Sequence, residues 1–136
     1  MSVRHGILLL WMGLKMINPK NLIRGSVWLV DLDPTRGHEQ AKKRPCLVIS
    51  ANNYNQGQAG LAVIMPITSR PRELFWYVPL DSSQGGLDKK SYIICDQVRN
   101  VSLQRFSSTC LGFVSDLVLE QVEERLHVLF YLIPKE

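Results

Sequence analysis

Short apolar runs separated by turn-forming residues dominate residues 24–100 of the chain. The runs cover residues 27–30, 46–49, 61–67, 73–80 and 91–98, with clusters of Asn, Gly, Asp and Ser between them. Runs of this length bounded by turn residues are typical of strands. Several closely spaced short strands predict a small antiparallel sheet or barrel. Pro66 lies inside the third run and predicts an edge strand or a bulge there, because proline cannot donate a ladder hydrogen bond.

Helical periodicity is clear only near the C-terminus. An apolar stripe recurs there at helical spacing, on Val118, Val122, Leu126 and Leu129. Ser115 can cap this helix, Asp116 suits its first turn, and Pro134 lies beyond its end. The stripe favours a core or dimer face, and His127 is interpreted as an ordinary helix residue.

The length of 136 residues predicts one domain, which we assign to residues 16–136. Residues 1–15 are interpreted as an N-terminal extension, which translation from Met16 would remove. Their apolar centre, residues 7–14, is far shorter than the ~20 residues of a membrane span. No small-residue cleavage site follows it, which argues against a signal peptide. We expect no membrane association.

The three cysteines do not form the pattern of a disulfide framework or a zinc site. Cys46 and Cys95 lie in apolar runs and are interpreted as small core residues, as is typical of a reducing cytoplasmic protein. No nucleotide-binding loop, hydrolase elbow or metalloprotease motif occurs. We therefore expect neither a metal nor a cofactor.

Charge is distributed unevenly along the chain. Residues 1–72 carry ten Lys or Arg against three Asp or Glu, whereas residues 73–136 carry six against nine. The basic half contains a polar loop between the first two predicted strands, with turn residues at 33–37. The loop then carries His38, Glu39, Gln40, Lys42, Lys43 and Arg44. Such a loop offers a carboxylate, an imidazole and several cations to a phosphodiester, although a solvated surface would show the same count.

These residues, with motifs further along the chain, resemble the MazF/PemK/Kid family of toxin endoribonucleases. The first motif is Arg24-Gly25 followed by the sequence WLVDLDPT at 28–35, Gly37, Glu39-Gln40 and Arg44-Pro45. The sequences PITS at 66–69 and DQVR at 96–99 follow in the family's order. The resemblance implies a mainly β fold with α: a small SH3-like antiparallel β-barrel with short helices and a C-terminal helix. It also implies a homodimer.

The activity that the resemblance implies is metal-independent cleavage of single-stranded RNA, usually mRNA, by a type II toxin. Attack by the ribose 2′-OH would leave 2′,3′-cyclic phosphate and 5′-OH ends. The implied protein partner is a cognate antitoxin whose acidic C-terminal tail fills the RNA groove. A basic groove suits such a tail, because coupled folding and binding can cover a large surface.

By the same resemblance, Arg44 and Thr68 are the expected catalytic residues, with Glu39 as a candidate general base. A guanidinium presents paired donors to phosphate oxygens and stays charged. The implied RNA-binding residues are Arg36, His38, Gln40, Lys42, Lys43, Ser69, Arg70, Gln97 and Arg99. The family usually has a small residue where His38 stands, so the resemblance does not imply a chemical role for its imidazole. Trp28 lies within a strand and is interpreted as core.

Other interpretations remain open from the sequence. A non-catalytic gyrase poison like the CcdB toxins would share the barrel but would not need Arg44 and Thr68. A degenerate regulator that only binds its antitoxin would not need them either. Arg44 would then be a surface cation before a proline, and Thr68 a strand-end hydroxyl bonded to its own backbone.

Overall fold

The computed structural model describes residues 17–131, so the predicted extension at residues 1–15 lies outside the described residues. The strands are β1 (Ser26–Asp31), β2 (Lys43–Val48), β3 (Leu61–Thr68), β4 (Tyr77–Leu80), β5 (Ser91–Ile94), β6 (Arg99–Ser102) and β7 (Phe106–Phe113). The helices are α1 (Asn52–Asn55) and α2 (Asp116–Leu129), with 3₁₀ turns at Pro19–Asn21, Cys95–Gln97 and Leu103–Arg105. None of the described helices is long and apolar enough to cross a membrane.

The strands form one antiparallel sheet in the order β4-β5-β3-β2-β1-β7, and β6 pairs with β3 beside β5. The predicted fold class, mainly β with a C-terminal helix, is confirmed. The sheet does not close into the predicted barrel, because its end strands β4 and β7 do not pair with each other.

Alternation along the central strands sends side chains to two cores, one on each face of the sheet. Trp28, Val30, Cys46 and Ile64 belong to the first core, whereas Val27, Leu47 and Met65 belong to the second. The indole of Trp28 donates a hydrogen bond to Ser26 Oγ at 2.8 Å and packs edge-on against Phe106. Trp28 is therefore a core residue, as predicted.

Helix α2 covers the second core and is confirmed as predicted. Ser115 Oγ accepts the backbone N–H of Val118 at 3.3 Å, which satisfies one of the free donors at the helix start. Val118, Leu119 and Val122 are buried against the sheet. This apolar face is thus a core face, and the stripe needs no ligand to explain it.

Several predicted strand boundaries were wrong. The run at 73–80 becomes strand only at Tyr77, because residues 69–76 form a loop that exposes Leu74 and Phe75. The run at 91–98 ends at Ile94 and enters the 3₁₀ turn Cys95–Gln97. Strands β6 and β7 were not predicted. Strand β2 begins at Lys43, so Lys43 and Arg44 belong to the sheet and not to the loop.

Pro66 does not mark an edge, since β3 lies between β2 and two further strands. The β3 ladder with β6 ends at Ile64, and the ladder with β5 begins at Ile67. Pro66 stands between these two ladders, where no partner strand requires a backbone donor. This change of partner explains how a proline is accommodated inside a central strand.

Candidate functional site

Sheet topology places Arg44 and Thr68 on adjacent strands. The last pair of the β2–β3 ladder is Cys46 with Pro66, and Arg44 and Thr68 each lie two residues beyond this pair on their own strands. Both residues lie within their strands. Residues two apart on a strand project from the same face, so Arg44 shares a face with Cys46 and Thr68 shares one with Pro66. The two residues predicted to be catalytic therefore lie just beyond the same end of one ladder.

The half-buried Arg44 side chain is anchored through one nitrogen only. Its Nε donates to the carbonyl of Ala41 at 2.9 Å, which fixes the plane of the guanidinium. Within residues 17–131, its two terminal nitrogens have no acceptor and form no ion pair. They are thus available to a phosphate, for which paired planar donors are well suited.

Thr68 is 8% exposed, and its Oγ1 accepts the backbone N–H of Arg70 at 3.1 Å. The local backbone bond considered from the sequence is therefore present. It uses the oxygen as an acceptor and leaves the hydroxyl hydrogen free to donate. Thr68 is consequently suited to donate to a phosphate oxygen.

The loop between β1 and β2 carries Glu39 on a tight turn. The Glu39 carboxylate accepts the N–H of Arg36 at 2.7 Å, and the Glu39 N–H donates to the Arg36 carbonyl at 3.2 Å. At the base of the loop, the N–H of Lys42 donates to Asp33 Oδ1 at 2.9 Å. One Glu39 oxygen therefore stabilises the turn, and the other is available to accept a proton.

Gln97 ties this loop to the 3₁₀ turn after β5. Its Oε1 accepts the backbone N–H of Gln40 at 2.8 Å, and its Nε2 donates to the carbonyl of His38 at 3.4 Å. Both ends of the Gln97 amide are therefore engaged with protein backbone. This geometry gives Gln97 a positioning role, and its predicted contact with RNA stays a prediction.

Two arginines donate hydrogen bonds to the backbone at the C-terminal end of β1. Arg99 Nη1 donates to the carbonyl of Leu32 at 3.2 Å, and Arg105 Nη1 donates to the carbonyls of Asp31 and Asp33. Arg105 was missed from the sequence, because its acceptors lie more than seventy residues away in the chain. No local motif signals such a contact.

A cleft of about 170 Å³ opens between the β1–β2 loop and the 95–98 segment. Its floor is apolar and is formed by Leu32, Pro66 and Val98. Its polar rim is formed by Glu39, Gln40, Asp96, Gln97 and Arg99. Gln40 Oε1 is buried without a hydrogen-bond partner, and Asp96 was not singled out from the sequence.

The remaining predicted RNA-binding residues are exposed and do not line this cleft. They are Arg36, His38, Lys42, Lys43, Ser69 and Arg70. The cations among them lie on the loop and strand ends next to Arg44 and Thr68. Contact between them and RNA stays a prediction.

Burial makes Cys46 and Cys95 unsuitable as catalytic nucleophiles. It raises the pKa of the Cys46 thiol to about 12, although the positive charges of Arg99 and Arg44 oppose the shift. Burial also raises the pKa of Cys95 to about 12 against the charge of Arg125. Neither thiol is an effective nucleophile near neutral pH. Across residues 17–131, no cluster of three or more His, Cys, Asp or Glu side chains could hold a metal.

Comparison with known proteins identifies relatives along most of the chain. Residues 23–130 match the family described as the PemK-like, MazF-like toxin of type II toxin–antitoxin systems. The endoribonuclease PemK of Escherichia coli is 32% identical over 120 residues, covering 85% of this chain and 88% of PemK. The endoribonuclease EndoA of Bacillus subtilis is 30% identical over 112 residues, covering 81% of this chain and 95% of EndoA.

The fold is also similar to solved structures. The crystal structure of MazF from Deinococcus radiodurans superposes with a TM-score of 0.71 at 28% sequence identity. The match covers 80% of this chain and 96% of that protein.

Proposed function

Because the chain belongs to the family of PemK-like, MazF-like toxins of type II toxin–antitoxin systems, we propose that it is the endoribonuclease toxin of such a pair. Its relatives PemK and EndoA are both named endoribonucleases. The observation that carries the proposal is the placement of Arg44 and Thr68 on adjacent strands, each two residues beyond the last β2–β3 pair, with the terminal nitrogens of Arg44 free of acceptors within residues 17–131.

Cleavage of RNA without a metal needs three contributions from the protein. The 2′-OH must lose a proton while its oxygen bonds to phosphorus, and charge on the phosphorane oxygens must be stabilised. The departing 5′-oxygen must then gain a proton. Each well-placed acid or base contributes ~10² to 10⁴ in rate. Donors aimed at the developing charge contribute as much or more.

Arg44 and Thr68 stabilise the charge on the phosphorane oxygens. The terminal nitrogens of Arg44 donate to the two non-bridging phosphate oxygens, and the Thr68 hydroxyl donates to one of them. Both donors issue from sheet strands and are fixed before substrate arrives, through Ala41 and the Arg70 N–H. Such preorganised donors stabilise charge without reorganisation during the reaction.

Glu39 is proposed as the general base. One of its oxygens is held by the Arg36 N–H, and the other receives the 2′-proton as the 2′-oxygen attacks phosphorus. The bond from phosphorus to the 5′-oxygen breaks, and that oxygen takes a proton from water. The products are a 2′,3′-cyclic phosphate and a 5′-hydroxyl.

The toxin's protein partner is its cognate antitoxin, as the family description implies. We propose that an acidic antitoxin tail occupies the basic surface around Arg44 and competes with RNA.

We also propose a homodimer, because apolar Leu111 and Phe113 on edge strand β7 and Leu117 on α2 are exposed. The three free cysteines favour a reducing cytoplasmic location.

The test is incubation of the purified protein with a long single-stranded RNA in EDTA. The proposal predicts discrete fragments that carry 2′,3′-cyclic phosphate and 5′-hydroxyl ends. Intact RNA together with inhibited DNA supercoiling by gyrase would instead support a CcdB-like poison. Intact RNA and normal supercoiling would support a protein that only binds its antitoxin.

A further inference from the structure

A single peptide unit connects the carboxylate of Asp33 to the guanidinium of Arg44. This peptide joins Ala41 to Lys42. Its carbonyl accepts a hydrogen bond from Arg44 Nε at 2.9 Å, and its N–H donates to Asp33 Oδ1 at 2.9 Å. The carbonyl and the N–H of a planar trans peptide point in opposite directions and turn as one unit. The bond to Asp33 therefore also sets the direction of the carbonyl that holds Arg44.

The backbone of Lys42 makes the orientation of this peptide depend on its hydrogen bonds. Lys42 has φ of +66°, in the left-handed region that a lysine rarely adopts. Its own carbonyl accepts the N–H of Leu32 at 3.0 Å, so Lys42 is bonded to the end of β1 on both sides. Such a conformation persists only where its surroundings hold it. Without the bond to Asp33, the peptide can turn and take the Ala41 carbonyl away from Arg44.

Arg105 in turn holds the backbone of Asp33. The β1–β7 ladder ends at Val30 with Phe106, and Arg105 lies one residue beyond this pair, in a 3₁₀ turn. Each terminal nitrogen of a guanidinium carries two hydrogens. Arg105 Nη1 donates to the carbonyl of Asp31 at 3.0 Å and also to the carbonyl of Asp33. The guanidinium thus takes the place of the strand that is missing beside this part of the chain.

The Asp33 carboxylate also strengthens the bond to Arg44. A peptide whose N–H donates to a charged oxygen is polarised, and its carbonyl becomes a better acceptor. Asp33 forms no ion pair within the described part of the chain, and its side chain accepts only the Lys42 N–H there. Its negative charge can only repel the RNA backbone. The contribution of Asp33 to the site is therefore one of geometry.

We propose, on the basis of the ribonuclease function above, that Asp33 is a positioning residue that orients the Arg44 guanidinium toward the scissile phosphate. It acts through the peptide between Ala41 and Lys42, and Arg105 keeps Asp33 in place. Neither Asp33 nor Arg105 touches the reacting atoms. Loss of either leaves the charge of Arg44 intact but misdirects its paired donors, so the maximal rate of cleavage falls.

Asp33→Ala and Asp33→Asn form a matched pair that tests this role. Both remove the negative charge, but asparagine keeps an Oδ1 acceptor for the Lys42 N–H. In single-turnover cleavage in EDTA, the maximal rate should fall about 10- to 100-fold in Asp33→Ala and stay within about threefold of the wild type in Asp33→Asn. The RNA concentration that gives the half-maximal rate should not rise in either variant. Asp88→Ala, at an exposed acid, is the control and should cleave at the wild-type rate.

Double variants test whether the effect passes through Arg44. At saturating RNA, Arg105→Met should lower the rate about tenfold, and Arg105→Lys should recover part of it. In the Arg44→Ala background, Asp33→Ala and Arg105→Met should lower the rate no further, because residues that act through one group are not additive. A full further loss in that background, or equal rates for Asp33→Ala and Asp33→Asn, would overturn the positioning role.

Exchange of the Arg44 Nε–H with water, followed by NMR of ¹⁵N-labelled protein, is a readout that does not depend on activity. Exchange should be slow in the wild type and in Asp33→Asn, and about tenfold faster in Asp33→Ala. Unchanged exchange in Asp33→Ala would overturn the connection between Asp33 and Arg44. Absence of cleavage by the wild type in every RNA would instead overturn the ribonuclease function, whatever the exchange rates.

Discussion

Gln97 Oε1 accepts the backbone N–H of Gln40 at 2.8 Å, across fifty-seven positions of sequence. This bond and the weaker one to the His38 carbonyl join the β1–β2 loop to the 3₁₀ turn that follows β5. Glu39 lies between the two bonded residues. The position of the proposed general base therefore depends on an amide from a distant part of the chain.

Gln97→Leu keeps the size of the side chain and removes both hydrogen bonds. We expect cleavage to slow by about 10- to 100-fold, because displacement of a catalytic group by ~1 Å has effects of that order. The Gln40 amide should exchange its hydrogen faster in deuterated water. Gln104→Leu, at an exposed glutamine, is the matched control and should change neither rate. Normal protection of the Gln40 amide in Gln97→Leu would contradict the positioning role.

Thr68→Val removes the hydroxyl and nearly preserves shape. Loss of one donor to a developing oxyanion typically costs ~10² to 10³ in rate, and we expect the lower part of that range. Thr68→Ser should remain within a few-fold of the wild type in single-turnover cleavage. Thr109→Val, on the exposed face of β7, controls for the substitution itself. Equal activity of Thr68→Val and Thr68→Ser would show that the hydroxyl only serves the Arg70 backbone.

Gly86 lies where the loop after β4 crosses strand β7. A Cβ added there would sit 1.8 Å from the Leu111 carbonyl oxygen, and the residue has φ of +71°. We expect Gly86→Ala to lower the free energy of unfolding by more than about 4 kcal/mol, measured by urea denaturation. Gly60→Ala shares the positive φ but meets no atom within 4 Å, so it should cost only ~1 to 2 kcal/mol. Similar urea midpoints for the two variants would contradict the close packing.

Because Cys46 and Cys95 are buried, the free energy of unfolding falls as the pH rises into the alkaline range. Cys46 and Cys95 have a pKa raised from 9.0 to about 12, so above pH 9 the unfolded chain releases protons that the folded chain keeps. The stabilisation is complete below pH 9 and is lost between pH 9 and 12. Each thiol contributes a fall of about 1.4 kcal/mol per pH unit in the unfolding free energy.

Urea denaturation at pH values from 8 to 10.5 measures this slope. The double variant Cys46→Ala with Cys95→Ala should be less stable at pH 8 but should show a shallower decline. Comparison of slopes removes the contribution of lysines and tyrosines, which both proteins share. Identical slopes would mean that the two thiols ionise as readily in the folded protein as in the unfolded chain.

The central strands and α2 were predictable from the sequence, because burial of one face imposes a clear periodicity of apolar residues on them. Trp28 and Val30 belong to one core and Val27 belongs to the other, and Ser115 caps the helix with its own side chain. Strand β7 escaped prediction because it is an edge strand: Ser108, Thr109 and Leu111 are exposed, so polar and apolar residues follow no simple alternation.

The candidate site was only partly predictable for a similar reason. Arg44 and Thr68 stand within motifs that are recognisable along the chain, whereas the contacts of Gln97 and Arg105 join segments more than fifty residues apart. Asp96 was noted only as part of the DQVR motif at 96–99 and was given no role in the site. Its place on the cleft rim follows from the 3₁₀ turn between β5 and β6.

The most direct test of the central claim is single-turnover cleavage of one mapped RNA in EDTA by Arg44→Ala. The account predicts a rate ~10² to 10³ lower than wild type, with unchanged folding and oligomeric state, because the charge-stabilising fork is removed. Arg44→Lys should fall between them, and Lys43→Ala, a neighbouring exposed cation, should weaken RNA binding without lowering the maximal rate. Cleavage by Arg44→Ala at the wild-type rate would remove Arg44 from the chemistry and contradict the account.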